Sequence, residues 1–259
     1  MKCVWDTDWT RRLACSRLVV DELAERGAPV PRYIRFGHEP GLGTWSVVEW
    51  LDGRPIGQLV TAELLEDVLA LLSKADGAGR AAAADATCPS TAVLVQSAFE
   101  AGAPELTALR THAPDTAALA DRLLALREAG GDGVWRTEDA VHGDFLVTQL
   151  LVNEDGRLAG VIDWDAATSG DRAFDLALLF QNVHVQGDRT GMTAPAEVVA
   201  RIADEGRNSS GAFGAYLAYH LLKMVGFVVL RNPRHIEWRL DVAHRVLASY
   251  QDGAAARSD

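Results

Sequence analysis

Residues 141–165 read VHGDFLVTQLLVNEDGRLAGVIDWD, and this stretch decides the fold. Asp144 lies in a His-Gly-Asp segment, and Gln149 follows five residues later. Two short apolar runs flank Asn153-Glu154-Asp155-Gly156, in which the Asp-Gly pair favours a tight hairpin turn. The hairpin returns the chain to Asp163. We therefore expect Asp144, Gln149 and Asp163 to lie at one site.

These three side chains have the chemistry that phosphoryl transfer requires. A hydroxyl acceptor needs a carboxylate that orients it or takes its proton, and the transferred group needs positive charge around its oxygens. Asp144 is the candidate for the first role. Mg²⁺ prefers oxygen ligands, which the Asp163 carboxylate and the Gln149 amide offer. Protein kinases have the same order and the same spacing of five in their catalytic loop. Each aspartate alone would be read as a solvated loop carboxylate, but the combination predicts a metal and phosphate site.

The stretch and the residues after it resemble the aminoglycoside phosphotransferase and choline kinase family. The matching blocks are His142-Gly143-Asp144, Ile162-Asp163-Trp164-Asp165, Gly170-Asp171 and Asp175-Leu176-Ala177. The resemblance implies an α+β, protein-kinase-like fold with two lobes. It predicts a small N-terminal nucleotide-binding lobe in residues 1–54, without its first strands, and a mainly helical C-terminal lobe in residues 55–259.

Weaker resemblance lies upstream and points to a nucleotide site. Residues 26–32, RGAPVPR, are similar to the family segment after the αC-like helix, and residues 47–55, VVEWLDGRP, to its hinge. The resemblance implies that backbone groups of Glu49, Trp50 and Leu51 hold the purine of ATP or GTP. It also implies that Lys2 contacts the phosphates.

Several positions depart from the family pattern. The glutamate that pairs with the strand lysine is replaced by Ser16, and the loop asparagine by the longer Gln149. No glycine-rich phosphate loop precedes Lys2, so either the true start lies upstream or part of the small lobe is missing. Gln149 is expected to bind Mg²⁺ more weakly than asparagine, and Thr148 is an alternative that could orient a water.

Other polar residues near the motif have structural interpretations. His142 is expected to brace the loop by hydrogen bonding, and Asp171 and Asp175 to lie at a helix start, where carboxylates are favoured. Asp165 has either a metal-proximal or a supporting role. Candidates for acceptor contacts in the later helices are His184, Asp188, Glu237, Trp238 and Asp241.

Bulk properties exclude several classes of protein. The chain has 259 residues and a net charge of −11, which argues against nucleic acid as a partner and mildly favours a cationic acceptor. For the charge balance alone, solubility is the preferred explanation. The three cysteines show no metal-ligand spacing, so we expect reduced thiols and a cytoplasmic protein. We predict no signal peptide and no membrane span.

Periodicity predicts the remaining elements. Strands are expected over residues 30–37 and 44–51, and the Asp-Gly hairpin pairs residues 150–152 with 160–162. A helix capped by Thr61 is expected before a loop or weak helix at residues 77–90. The other predicted helices cover residues 8–26, 91–101, 115–129, 171–183, 195–205, 211–230 and 233–251.

Together these features predict ATP- or GTP-dependent O-phosphorylation of a small, hydroxylated, cationic molecule, with Mg²⁺ as cofactor. The resemblance points to an aminoglycoside-like antibiotic as the acceptor and to a role in antibiotic resistance. One alternative is a catalytically impaired pseudokinase that binds a nucleotide or ligand. Another is half of a split site that a second subunit completes.

Overall fold

The computed structural model describes residues 2–4, 8–41, 43–130 and 135–255, which form ten α-helices and eight β-strands. The chain divides into two compact units. Unit 1 comprises residues 1–91 and 136–175, and unit 2 comprises residues 92–135 and 176–259. The predicted lobe boundary after residue 54 coincides with none of the three points, after residues 91, 135 and 175, at which the chain passes between the units, and it stays a prediction.

Unit 1 contains all eight strands, arranged in three small antiparallel sheets. The first sheet has the order β1-β3-β2, the second β4-β6-β7 and the third β5-β8. The strands are β1 (Lys2–Val4), β2 (Tyr33–Glu39), β3 (Gly43–Val48), β4 (Arg54–Pro55), β5 (Asp139–Val141), β6 (Leu150–Val152), β7 (Leu158–Val161) and β8 (Thr168–Gly170).

Three helices of unit 1 cover these sheets: α1 (Asp8–Glu25), α2 (Ala62–Lys74) and α3 (Arg80–Ala83). The apolar face of α1 includes Leu13, Val19 and Leu23, which are fully buried. The predicted cap of α2 is confirmed, because Thr61 Oγ1 accepts a hydrogen bond of 3.2 Å from the backbone N–H of Leu64.

The predicted hairpin after the His-Gly-Asp segment is also confirmed. Strand β6 pairs with β7, and Leu150 lies opposite Val161. The turn is closed by the backbone N–H of Gly156, which donates to the carbonyl of Asn153 over 3.1 Å. This register places Ile162 beside Gln149, since the Ile162 N–H donates to the Gln149 carbonyl. The hairpin therefore delivers Asp163 next to the end of the 3₁₀ turn that contains Gln149.

Unit 2 is helical. Its helices are α4 (Thr91–Ala98), α5 (Pro104–His112), α6 (Pro114–Ala129), α7 (Ala173–Thr190), α8 (Ala196–Ser209), α9 (Phe213–Arg231) and α10 (Ile236–Ala255); α4 and α7 begin in unit 1. Helix α5 was not predicted. Helix α9 packs against α5 and α6, and a Cβ atom on Gly226 would lie 2.5 Å from Cβ of Glu105. Glycine at position 226 therefore allows the close approach of α9 to α5.

Helix α9 is apolar and long enough to cross a membrane by length and composition. It contains 19 residues, and 72% of its apolar window is buried within the protein. Buried residues along it include Tyr216, Leu217, Leu221 and Val225. This burial is the pattern of a core helix, which passes the same length and hydropathy test as a membrane span.

A disulfide joins Cys15 of α1 to Cys88, and both residues are buried in unit 1. The prediction of reduced cysteines is therefore wrong for two of the three. Their separation of 73 residues gave no sequence signal, because the two positions meet only when the segment after α3 packs on α1. Cysteine spacing reveals metal sites and some redox motifs, but it does not reveal a single long-range pair.

Reduction of this disulfide is expected to lower the stability of the protein. For the 73-residue separation, the loop-entropy relation gives a loss of about 4 kcal/mol in the free energy of unfolding. Urea unfolding of the oxidised and the reduced protein measures this difference with no change of sequence. The Cys3→Ser variant is the control and should show the same difference. Equal stability of the two redox forms would contradict the prediction.

Candidate active site

The His-Gly-Asp loop and the turn that contains Asp163 are in direct contact. Gly143 has φ +82°, and a Cβ atom at this position would lie 2.4 Å from the carbonyl oxygen of Ala166. Any side chain here would force the two segments apart. The close contact therefore requires glycine between His142 and Asp144. It brings the loop of Asp144 against the turn of Asp163.

His142 holds the same two segments together. Its side chain is fully buried, and Nε2 lies 3.0 Å from the carbonyl oxygen of Ile162. Nδ1 accepts a hydrogen bond of 3.3 Å from the backbone N–H of Asp144. These two bonds require the neutral tautomer with the proton on Nε2, and burial lowers the pKa of His142 to about 4. The ring also packs on Trp164, with 4.5 Å between centroids. His142 thus braces the loop, as its sequence context predicted.

Asp175 fixes the loop from the first turn of α7. One carboxylate oxygen accepts from the backbone N–H of His142 over 2.7 Å, and the other from that of Gly143 over 3.0 Å. Burial raises the pKa of Asp175 to about 7, although the two N–H donors favour its charged form. At the same helix start, Asp171 accepts from the backbone N–H of Ala173. Both aspartates have the structural roles that were predicted.

Gln149 contacts Asp144 through its amide. Nε2 donates to Asp144 Oδ2 over 3.2 Å, while Oε1 accepts from the backbone N–H of Leu146 over 3.2 Å. The Gln149 side chain is buried, whereas the Asp144 carboxylate that it contacts is exposed. In this orientation the amide oxygen serves the loop backbone and the amide nitrogen positions the Asp144 carboxylate. Metal ligation by Gln149 stays a prediction, and this geometry favours a positioning role.

The variant Gln149→Asn separates the two roles. The shorter side chain cannot span Asp144 and Leu146 together, so a positioning role predicts a fall in kcat of about tenfold, the effect of losing roughly one hydrogen bond. The Mg²⁺ concentration that gives half-maximal rate should not change. Steady-state kinetics across a Mg²⁺ titration measures both quantities. A shifted Mg²⁺ dependence with unchanged kcat would instead identify position 149 as a metal ligand.

Asp163 lies on a strained turn. Its φ of 67° and ψ of 50° are left-handed, and it is the only residue other than glycine with positive φ in the described part of the chain. Aspartate tolerates this conformation better than most residues, and such outliers concentrate at functional sites. The short 3₁₀ helix Trp164–Ala166 follows immediately. The conformation sets the direction in which the Asp163 side chain leaves the backbone.

The turn after Asp163 is tied to α1 and β2 by a polar cluster that sequence reasoning missed. Tyr33 Oη donates to Asp165 Oδ1 over 2.9 Å, and both side chains are buried. Burial and the neighbouring Asp165 carboxylate hold the pKa of Tyr33 far above its ordinary value. Ser16 Oγ donates to the carbonyl of Ala167 over 3.4 Å. Ser16 thus supports this turn from the position where the family has a glutamate.

The predicted purine-binding segment follows β3. The backbone N–H of Glu49 donates to the carbonyl of Arg32, and the Glu49 carboxylate accepts from the Arg32 N–H over 3.1 Å. Leu51 packs against Gly160 of β7. The Trp50 side chain is 87% exposed, which is unusual for tryptophan and leaves a flat ring surface for a ligand. A nucleotide role for Glu49, Trp50 and Leu51 stays a prediction.

Lys2 lies in β1, where its backbone pairs with Ser46 of β3. Its side chain lies outside the described part of the chain, so its proposed phosphate contact stays a prediction. Ser46 itself is buried in the sheet.

The donor chemistry around Asp163 suits a magnesium ion. Within the described ranges no group of three or more His, Cys, Asp and Glu side chains gathers. Mg²⁺ needs only one or two protein carboxylates and takes its other ligands from water and phosphate. Asp163 meets that requirement, whereas the Gln149 oxygen already receives the Leu146 N–H.

Four of the five predicted acceptor contacts come together in unit 2. Asp188 Oδ2 accepts from Trp238 Nε1 over 3.0 Å and forms an ion pair with Arg245. Arg245 also donates to Asp241 over 3.1 Å. Burial and the charge of Arg245 lower the pKa of His184, which therefore belongs to the same cluster. Glu237 lies exposed in the first turn of α10.

The contact of the His-Gly-Asp loop with the Asp163 turn, beside a small sheet and a hairpin, defines a kinase-like phosphotransferase. The profile of the phosphotransferase enzyme family, APH, matches residues 7–219. The chain belongs to this family. The predicted family, enzyme class and kinase-like α+β fold are therefore confirmed. No curated protein sequence matches the chain.

Solved aminoglycoside phosphotransferases have the same fold at low sequence identity. APH(2'')-IIIa, solved with GDP and kanamycin, is 12% identical and has a TM-score of 0.64 over 94% of this chain and 84% of its own. A thermostable mutant of APH(4)-Ia with AMP-PNP and hygromycin B is 19% identical and has a TM-score of 0.61 over 95% of this chain and 83% of its own. APH(3'')-Id from Streptomyces rimosus, with ADP and streptomycin, is 18% identical and has a TM-score of 0.53 over 85% of this chain and 85% of its own. Relatives of this fold bind nucleotides.

Proposed function

We propose that the protein transfers a phosphoryl group from ATP or GTP to a hydroxyl group of a small molecule. The observation that carries this proposal is the contact between Gly143 and Ala166, reinforced by the hydrogen bond from His142 to Ile162. It joins the segments of Asp144 and Asp163 around the buried His142 ring and leaves both carboxylates exposed to solvent, where substrates can reach them. Phosphoryl transfer depends mainly on such positioning.

Asp144 orients the acceptor hydroxyl and takes its proton as the acceptor oxygen bonds to the γ-phosphorus, whose bond to the departing nucleoside diphosphate breaks. Its backbone is fixed by His142, and its carboxylate by the Gln149 amide. Asp163 supplies a carboxylate ligand for Mg²⁺, whose charge stabilises the phosphate oxygens when the ion is bound. Backbone groups at residues 49–51 hold the purine, and the exposed ring of Trp50 flanks it. Lys2 contacts the phosphates.

An amino-sugar antibiotic is the acceptor class that we propose. The three solved relatives named above were crystallised with kanamycin, hygromycin B and streptomycin, each a polycationic hydroxylated molecule. The net charge of −11 favours attraction of such acceptors. Antibiotic resistance is the corresponding biological role, with no nucleic-acid or membrane partner.

A radiolabelled transfer assay tests the proposal. The purified chain is incubated with labelled ATP or GTP, with Mg²⁺ or EDTA, and with aminoglycosides, macrolides, peptide antibiotics and amino alcohols in parallel. The expected result is Mg²⁺-dependent labelling of one acceptor class, absent for Asp144→Asn. Labelling of no acceptor by a folded protein that still binds nucleotide would contradict the enzyme assignment.

Two contacts favour a second candidate, a pseudokinase that binds nucleotide without turnover. Ser16 supplies no carboxylate where the family has one, and its hydroxyl donates to the Ala167 carbonyl. The Gln149 oxygen accepts from Leu146 rather than being directed to a cation. The transfer assay separates the two functions. A pseudokinase would bind AMP-PNP in calorimetry, but with labelled ATP or GTP it would transfer no phosphate to any acceptor or to water.

A further inference from the structure

A cavity in unit 2 lies between the last turns of α7 and α9 and the first turns of α10. Its volume is about 470 Å³, which is in the range of small-molecule sites. Six of the side chains that line it are Asp188, Arg189, Phe227, Arg231, Trp238 and Arg239. The lining thus combines three arginines with two aromatic rings. That combination is unexpected in a protein with a net charge of −11.

The described part of the chain does not neutralise the positive charge of this cavity. Arg189, Arg231 and Arg239 form no ion pair with any carboxylate in the part of the chain that the structure describes. The one acidic residue of the lining, Asp188, already binds Trp238 Nε1 and Arg245. Arg239 is half-buried, and a charged group without a counter-ion is costly where solvent is partly excluded, so this position favours an incoming anion. Arg189 and Arg231 are exposed and add positive charge beside it.

Arg239 is the clearest sign of a ligand site. Its Nε–H is buried and has no hydrogen-bond partner among the described residues. It lies in the first turns of α10, where the helix dipole disfavours a cation, whereas Arg189 and Arg231 lie in last turns, where the dipole favours one. Partial burial and the neighbouring Arg189 lower the pKa of Arg239. Simple stabilisation of a helix end therefore explains Arg189 and Arg231 but not Arg239.

The two aromatic rings place the arginines for binding. The guanidinium carbon of Arg239 lies 4.5 Å from the centre of the Trp238 ring, and that of Arg231 lies 5.8 Å from the centre of the Phe227 ring. Cation–π contacts use no N–H donor, so the donors of both side chains stay available for carboxylate or phosphate oxygens. The Phe227 ring is mostly exposed and offers an apolar surface beside them.

We propose that this cavity binds a small anion, a phosphate or a carboxylate, that is attached to a planar ring. Arg239 and Arg231 donate to the anionic oxygens, Arg189 adds long-range attraction, and the rings of Trp238 and Phe227 contact the planar part of the ligand. The proposal concerns binding in unit 2 and does not depend on the phosphotransferase activity of unit 1. A purely cationic molecule would not fit this cavity, so the proposal replaces the predicted acceptor contacts of Asp188 and Trp238.

Calorimetry of the full chain at physiological salt tests the site. The four probes each contain a benzene ring and differ in its substituent: phenyl phosphate and benzoate are anions, phenol is neutral and benzylamine is a cation. We expect saturable one-to-one binding of at least one anion, at least tenfold tighter than binding of phenol or benzylamine. The stronger of the two anions identifies phosphate or carboxylate as the ligand group. Equal affinity for all four probes, or no saturable binding of either anion, would overturn the proposal.

Variants locate the binding to this cavity. Arg239→Gln and Arg231→Gln should each lower the affinity for the preferred anion at least tenfold. Arg234→Gln, an exposed arginine on the adjacent turn that does not line the cavity, should leave the affinity within twofold. Circular dichroism checks that each variant folds. If Arg239→Gln does not fold, the affinity of Arg231→Gln tests the site, because the Arg231 side chain is exposed. If both cavity variants bind as Arg234→Gln does, the anion binds elsewhere and the inference is wrong.

Discussion

Asp144→Asn is expected to lower kcat by about 10³-fold or more, because an amide cannot take the proton of the acceptor hydroxyl. Nucleotide affinity should change by less than about threefold, well under 1 kcal/mol. The substitution keeps the side-chain shape. Gln149 Nε2 lies 3.2 Å from Asp144 Oδ2 in the unmodified protein, and it can donate in the same way to the asparagine oxygen of the variant. The loop geometry set by His142 and Asp175 should therefore survive.

The measurement combines steady-state kinetics, using the acceptor that the transfer screen identifies, with calorimetric binding of AMP-PNP. Asp155→Asn is the matched control, because it removes the same charge from an exposed hairpin turn in unit 1. That control should retain full activity. A kcat within threefold of the unmodified protein for Asp144→Asn would refute the role of Asp144.

Replacing Asp163 is expected to remove the dependence of nucleotide affinity on Mg²⁺. In the unmodified protein, AMP-PNP should bind at least tenfold more tightly with Mg²⁺ than with EDTA, a difference of about 1.4 kcal/mol or more. In Asp163→Asn and Asp163→Ala this difference should disappear. Catalysis should fall with it, since the metal supplies the charge that stabilises the transferred phosphoryl group.

Two substitutions are needed because Asp163 has φ +67°. Asparagine tolerates this left-handed conformation, whereas alanine adds a backbone cost of about 1 kcal/mol or more. Asp163→Asn should therefore melt close to the unmodified protein, and Asp163→Ala somewhat below it. If Mg²⁺ still tightens AMP-PNP binding to a folded Asp163→Asn protein, Asp163 is not the ligand. The control Asp155→Asn should keep the full Mg²⁺ effect.

Local sequence signals predicted much of the site. The Asp-Gly turn predicted the hairpin, the apolar runs predicted its strands, and together they predicted that Asp163 returns towards Gln149. The bracing role of His142 followed from its position in the motif. The cap at Thr61 was readable because its hydroxyl acts within one helical turn. Each of these features depends on residues that are close together in the chain.

Features that depend on distant residues were not predicted. Tyr33 and Asp165 are 132 positions apart, and neither shows in its own segment that the other is its partner. Helix α5 was missed because its segment is short and lies between two prolines, Pro104 as its first residue and Pro114 just beyond its end, a pattern that also fits a loop. The orientation of the Gln149 amide was open as well, because a side-chain amide can present either its oxygen or its nitrogen to Asp144.

The sequence by itself determined the family and the α+β class, and it predicted Asp144 and Asp163 as the two acidic residues of the site, because motif spacing and hydrophobic periodicity are local properties of the chain. Only the tertiary structure decided that Cys15 and Cys88 form a disulfide, that Tyr33 supports the Asp163 turn and that uncompensated arginines line a cavity in unit 2. The physical reason is that disulfides, buried hydrogen bonds and charge clusters depend on distances between segments. Those distances are set by packing of the whole core.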